Sequence, residues 1–277
     1  MNSSGASHGR PWRHSGWRAS CRGVVGWVLA LGCSMQALAA PTDMESLTST
    51  ELRARIAAGT HTVLLPIGGT EQNGAHLVLG KHNARVHLMA TRIAERLGDA
   101  VVAPVLPYVP EGEISPPTGH MRWTGTISVP AAAFEALLEG AAASLCHHGL
   151  SEVVLLGDHE GYQKQLVAVA TRMAARPGGA CHVIALTEYY RAMASGFDAM
   201  LAQRGYRADE IGTHAGLADT ALSLAVDPSL VRPQAQAQGA STGVNGDPRR
   251  ATAELGQLGL AQAVDASVAA IEQRRRR

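Results

Sequence analysis

Short unbroken apolar runs alternate along this chain with longer stretches in which apolar residues recur every three or four positions. Thr62 to Ile67, Ala100 to Leu106, Glu152 to Leu156 and His182 to Leu186 are runs of strand length. Asn83 to Leu97 sets Val86, Met89, Ala90, Ile93 and Leu97 on one helical face, and Gly98 follows as a stop. Thr50 is read as the cap of a short helix, Glu51 to Ala58, ended by Gly59. Pro130 opens a helix to about His147, with Gly149 beyond its end. Further helices are predicted over Gln163 to Ala175, Ala192 to Arg204, Leu217 to Ala225 and Ala251 to Gln273. Pro107 to Gly125 and Gln234 to Asp247 read as loops, the first long enough to suggest a function. Apolar strands alternating with helices predict an α/β fold: a three-layer sandwich, mostly parallel sheet with helices on both faces.

The chemistry collects where two of these runs end. Thr62 to Ile67 leads into Thr70 to Asn83, TEQNGAHLVLGKHN, which holds Glu71, His76 and His82. Val153 to Leu156 leads into GDHEG, with His159 in the equivalent place. Open α/β sheets put their sites at the C-terminal ends of strands. Two imidazoles and a carboxylate with an open fourth position suit a catalytic zinc, so Glu71, His82 and His159 are the candidate metal ligands. Bound metal would lower the pKa of a water to roughly 7 and polarise a carbonyl. Zinc is expected, with manganese or iron as alternatives. Taken singly, each of these residues has an ordinary structural role to play, and only their joint placement raises the metal hypothesis.

The N-terminus changes the charge and the cysteine count. Arg10, Arg13, Arg18 and Arg22 precede an apolar stretch from Val24 to about Leu31, then Ala37-Leu38-Ala39 and Pro41. That order predicts an export signal over residues 1–39, cleaved near Ala39 or Ala40, and a periplasmic or secreted protein with one domain over 40–277. The apolar stretch is shorter than the ~20 residues of a membrane span. Beyond the signal, 20 Lys and Arg face 23 Asp and Glu, which argues against a nucleic-acid partner. Cys146 and Cys181 would then sit in a compartment that permits disulfides. A disulfide and two buried thiols both stay open.

Several ordered motifs resemble those of the creatininase (creatinine amidohydrolase) family. PIGGTEQNGAHLVLGKH is similar to the family's P-[VI]-G-S-x-E-Q-H-G-P-H-L-P with an Asp a few residues on. Trp123-Thr124-Gly125-Thr126-Ile127-Ser128 resembles F-P-G-T-I-S, Val153 to His159 a stretch ending in N-G-H, and His214-Ala215-Gly216 with Asp219-Thr220 resembles H-A-G-x-x-E-T. Gly243 to Pro248, then Ala251-Thr252, resembles a C-terminal segment, so the likeness runs from about Val63 to Gly256. It implies two metals in most members, bridged by the Asp. Here Asn73 stands for the family's His, His82 for the bridging Asp, and Gly161 where creatininase proper has a Glu. One metal is therefore expected, with Glu160 or His76 as the residues that could restore a second.

The resemblance also implies that His214 transfers protons, partnered by Asp219, and Glu160 is a candidate base beside His159. Asn73, His76, His120 and Trp123 are expected around the substrate. Together these imply a metal-dependent amidohydrolase acting on the amide or cyclic amide of a small molecule. A homo-oligomer, a hexamer by resemblance, is expected. The alternative is an exported pseudoenzyme or binding protein on the same fold.

Overall fold

The computed structural model describes residues 41–176 and 181–276. The expected export segment lies outside the described residues. The described residues beyond it belong to one compact unit.

Four parallel strands form the sheet in the order β2-β1-β3-β4: β1 (Thr62–Ile67), β2 (Ala100–Val102), β3 (Glu152–Gly157) and β4 (His182–Ala185). Both central strands are buried along their whole length, because both faces of the sheet are covered. Alternate side chains point to opposite faces. Leu64, Val154 and Leu156 join one apolar cluster, whereas Val63, Leu65, Ile67, Val153 and Leu155 join the other. The first cluster is closed by α2 (Lys81–Leu97), α5 (Thr187–Arg191), α6 (Phe197–Gln203), α8 (Leu217–Val226) and α10 (Ala253–Arg275). The second is closed by α3 (Ala131–His147) and α4 (Gln163–Ala174), with α1 (Ser49–Ala57) packed at its margin. Helices α8 and α10 approach so closely that a methyl group on Gly256 would overlap the Ala221 carbonyl.

Several local features differ from the sequence expectation. The second strand stops at Val102, since Pro104 has no N–H for a ladder, and the chain returns only as an isolated bridge between Ile67 and Leu106. Thr48, not Thr50, caps the first helix, in a reciprocal box in which Thr48 N–H donates to Glu51 (2.7 Å). The helix expected from Ala192 begins at Thr187 and continues through a π-helical turn, Ala192–Gly196, into α6. A short helix, α9 (Pro233–Ala237), occupies the stretch expected to be loop. One more turn of helix, α7 (Ala208–Ile211), precedes His214.

Cys146 and Cys181 are joined by a disulfide with their Cα atoms 5.7 Å apart. It ties the end of α3 to the start of β4. No helix of the described residues is long and apolar enough to cross a membrane.

Strand order fixes where a site must form. The chain leaves β1 toward β2 on one side, then crosses to β3 on the other. The loops after β1 and β3 therefore diverge and open a crevice at their carboxyl ends. Tyr162 pins that crevice from below. Its buried hydroxyl lies 2.7 Å from the carbonyls of Ile67 and Gly68 and accepts from the N–H groups of Asp158 (3.0 Å) and His159 (3.1 Å).

Candidate metal centre

Glu71 stands at the centre of the crevice with no solvent exposure. Its two carboxylate oxygens face different neighbours. Oε2 lies 3.2 Å from His120 Nε2 and 3.3 Å from His159 Nε2, yet makes no hydrogen bond. Glu111 Oε2 lies 3.6 Å from the same His159 nitrogen, and both Glu111 oxygens are buried without a partner. One donor atom from each of Glu71, Glu111, His120 and His159 falls within 4.8 Å of the others. Metal–ligand bonds of about 2.0–2.2 Å in a tetrahedron place donor atoms roughly 3.3–3.6 Å apart. The spacings of 3.2, 3.3 and 3.6 Å lie at or near that range, and three orphaned buried carboxylate oxygens are what a cation would satisfy. The residues therefore fit a divalent metal.

The acids have opposite electrostatic settings. Burial pushes Glu71 upward, but the neighbouring imidazoles of His159 and His82 and the Lys81 charge overcome it and hold the carboxyl far below its usual range. Burial, with the Glu71 charge second, pushes Glu111 up to about 9. Two carboxylates converging without a cation cannot both stay ionised cheaply.

Oε1 of Glu71 faces a second cluster. It sits 2.8 Å from His82 Nε2, and His82 Nδ1 sits 2.7 Å from Asp158 Oδ2. His82, expected as a metal ligand, thus has both ring nitrogens engaged by carboxylates and lies outside the four-residue group. Its position in the first turn of α2 turns the ring across Glu71, so it orients that carboxylate. Arg85, one turn on, reaches Asp158 (Nη2–Oδ2 2.8 Å) and Asp219 (Nη1–Oδ1 3.0 Å). Lys81 Nζ lies 2.6 Å from Asp219 Oδ2. Tyr189 is buried and donates to Asp158.

His214 is set by its neighbours. Its Nε2 donates to the Gln72 carbonyl (2.9 Å), leaving Nδ1 3.8 Å from Glu71 Oε1. Burial first, then the Lys81 charge, pull it down to about 4, so the ring is neutral at pH 7 with Nδ1 free to accept a proton. Asp219 does not bond this ring as expected: its oxygens are taken by Lys81, Arg85 and the Ala215 N–H (2.9 Å). That last contact holds Ala215 at φ 53°, a left-handed conformation unusual for a residue with a side chain.

A cavity of about 1010 Å³ opens over these groups, with Lys81, Glu111, His120, His159, Glu160 and His214 in its wall. Glu160 is exposed at the mouth. Three residues expected around the substrate do not line it. Asn73 donates to the carbonyls of Glu71 (2.9 Å) and Val78 (3.1 Å); His76 is buried against Thr220 (3.0 Å); and Trp123 stands outside the cavity wall.

Residues 45–271 match the family model described as creatininase, creatinine amidohydrolase. The chain belongs to the creatininase family. Over 193 residues it is 28% identical to creatinine amidohydrolase of Pseudomonas putida, an alignment spanning 67% of this chain and 72% of that one. It is 33% identical over 138 residues to the mycofactocin precursor peptide peptidase of Mycolicibacterium smegmatis, spanning 47% of this chain and 51% of that one. A solved structure described as creatininase Mn is 25% identical, with a TM-score of 0.69 over 85% of this chain and 99% of that one. A Zn-Zn type creatininase variant is 24% identical, with a TM-score of 0.65 over 85% and 98%, and bears on the fold alone.

Glu111 lies in the Pro107 to Gly125 loop, and neither it nor Lys81, Arg85 or Asp158 was assigned a role from the sequence. Lys81 carried a usable signal. A cation in the first turn of a helix opposes the helix dipole, so something else must hold it there. Asp198, in the cavity wall of this creatininase-family protein, is pushed up to about 6 by burial and by the Asp219 charge. Its pKa in the fold lies above the ordinary 3.8. It therefore favours the fold below about pH 4, and that contribution is lost as pH rises through 6. Asp198→Asn should raise the melting temperature at pH 8 and leave it unchanged at pH 4; the same shift at both would overturn this assignment.

Proposed function

We propose that this creatininase-family hydrolase cleaves the amide or cyclic amide C–N bond of a small molecule at a single divalent metal held by Glu71, Glu111, His120 and His159. The convergence of orphaned carboxylate oxygens with two imidazole nitrogens carries the proposal. A metal bound there supplies Lewis acidity toward a carbonyl and lowers the pKa of water. The protein's own groups supply the rest. Neutral His214, in the cavity wall with Nδ1 left as an acceptor, accepts a proton and returns it to the leaving nitrogen. His82 and Lys81 fix the Glu71 carboxylate from behind. Glu160 at the mouth is placed to meet a polar part of the substrate.

Manganese and zinc are the metals to test first, because solved relatives are described with each. The substrate is proposed to be an amide other than creatinine, given Asn73, His82 and Gly161 at positions where the family pattern carries metal ligands. The Cys146–Cys181 disulfide supports export to an oxidising compartment, and a homo-oligomer is proposed by family resemblance.

The test is metal analysis of the mature protein, followed by a screen of small amides, lactams and short peptides with His214→Ala as control. Hydrolysis should fall by about 100- to 10,000-fold in His214→Ala, with metal content unchanged. A wild-type protein that carries no stoichiometric metal and turns over none of the panel would sink the hydrolase reading in favour of a binding protein.

A further inference from the structure

The two oxygens of Glu71 divide the crevice into two half-sites. The Oε2 half holds the four convergent donors. The Oε1 half holds Lys81, whose side chain is 1% exposed and whose Nζ lies 3.6 Å from Oε1. That nitrogen is also 2.6 Å from Asp219 Oδ2. Arg85 stands directly behind, shared between Asp158 and Asp219. Two fixed cations thus answer three carboxylates, Glu71, Asp158 and Asp219. Lysine is a compact point charge well suited to a pocket of this size.

The Oε1 half has little left with which to hold a metal. Both ring nitrogens of His82 are engaged by carboxylates, the Asn73 amide is turned to backbone carbonyls, and Gly161 brings no side chain. Among the described residues, only one group of three or more His, Cys, Asp or Glu donors converges. A divalent ion placed beside Oε1 would also meet the Lys81 charge across a few ångströms of low-dielectric interior.

We infer that Lys81 is a built-in second cation: it stands on the Oε1 side of Glu71 where a second metal would otherwise sit, and so makes this a one-metal centre. The inference rests on the metal-hydrolase proposal and deepens it. Lys81 acts as a positioning residue. It fixes the direction and charge of Glu71, so that Oε2 alone is presented to the metal, and it does so without being acquired from solution or lost to a chelator.

Metal stoichiometry tests this without any assay of turnover. The intact mature protein is saturated with Mn(II) or Zn(II), freed of excess, and analysed by inductively coupled plasma mass spectrometry. Wild type should retain one equivalent per chain, Lys81→Arg one, and Lys81→Glu two, because the new carboxylate joins Glu71 Oε1 and Asp219. Saturation of wild type at two equivalents overturns the inference, as does a folded Lys81→Glu protein that stays at one. Should Lys81→Glu fail to fold, the electron paramagnetic resonance spectrum of Mn-loaded wild type decides. An isolated six-line signal is expected, and an exchange-coupled pair overturns it. One equivalent without hydrolysis removes the proposed function and leaves this inference standing; two equivalents with hydrolysis keeps the hydrolase reading, removes its single-metal form and overturns this inference.

Discussion

Glu71→Ala is expected to strip the protein of tightly bound metal and of hydrolysis together. Glu71 reaches both halves of the crevice through one carboxylate, with Oε2 near His120 and His159 and Oε1 near His82 and Lys81. Removing a residue that merely supports a ligand costs roughly 10- to 100-fold in metal affinity, so loss of a central ligand should exceed about 100-fold. Alanine also leaves Lys81 and His82 facing an empty space, and part of the effect will appear as lost stability. Glu71→Gln separates the two effects. It keeps the shape and a hydrogen-bond acceptor but removes the charge, so it should stay folded and still lose metal. Equilibrium dialysis against Zn(II) measures it; near wild-type retention in Glu71→Gln would show that the metal is held elsewhere.

Arg85→Ala carries the largest expected cost to the fold. The guanidinium is buried and bonds buried Asp158 and half-buried Asp219 at once. Removing one member of a buried charge cluster leaves the others unpaired, typically about 3–5 kcal/mol. For a domain of this size that corresponds to a drop in melting temperature on the order of 10 °C. The pH dependence gives a second handle. Burial pushes Asp158 and Asp219 upward, but Arg85 with His82 on the former, and Lys81 with Arg85 on the latter, hold both below their usual range. Each therefore contributes stability above the ordinary carboxyl range, and that contribution is lost as pH falls through the depressed value. Arg85→Ala should flatten the acid limb of the stability profile as well as lower its plateau. A variant as stable as wild type at pH 7 would contradict the role given to the cluster.

The sheet was legible because its strands are apolar on both faces. β1 was read residue for residue, and β3 to within one residue, from unbroken Val and Leu runs. Ala100 to Leu106 misled because hydropathy does not register that Pro104 ends the ladder. In the crevice, the placement of Glu71 and His159 near one another was legible, since each lies within four residues of the end of a buried strand. Their convergence with Glu111 and His120 was not, although His120 was expected around the substrate and does line the cavity. Glu111 and His120 lie nine positions apart in a loop whose path depends on contacts such as the Ile127 N–H to the Thr70 carbonyl (2.9 Å) and Glu111 N–H to Ser128 (3.0 Å). Nothing local in the sequence announces those. His82 misled in the other direction. It occupies the right position in the family pattern, but Asp158 and Glu71 lie on either side of it in space and take both nitrogens.

The division of the four donors between scaffold and loop has one more consequence. Glu71 and His159 ride on the ends of the two central strands, while Glu111 and His120 belong to the long connection between β2 and α3. An ion gripped by both pairs would act as a fastener between the ends of the central strands and that long connection. The cavity wall to which Glu111 and His120 belong would then be cross-linked to the sheet through the ion, so metal loading is expected to slow proteolysis within the Pro107 to Gly125 loop more than elsewhere.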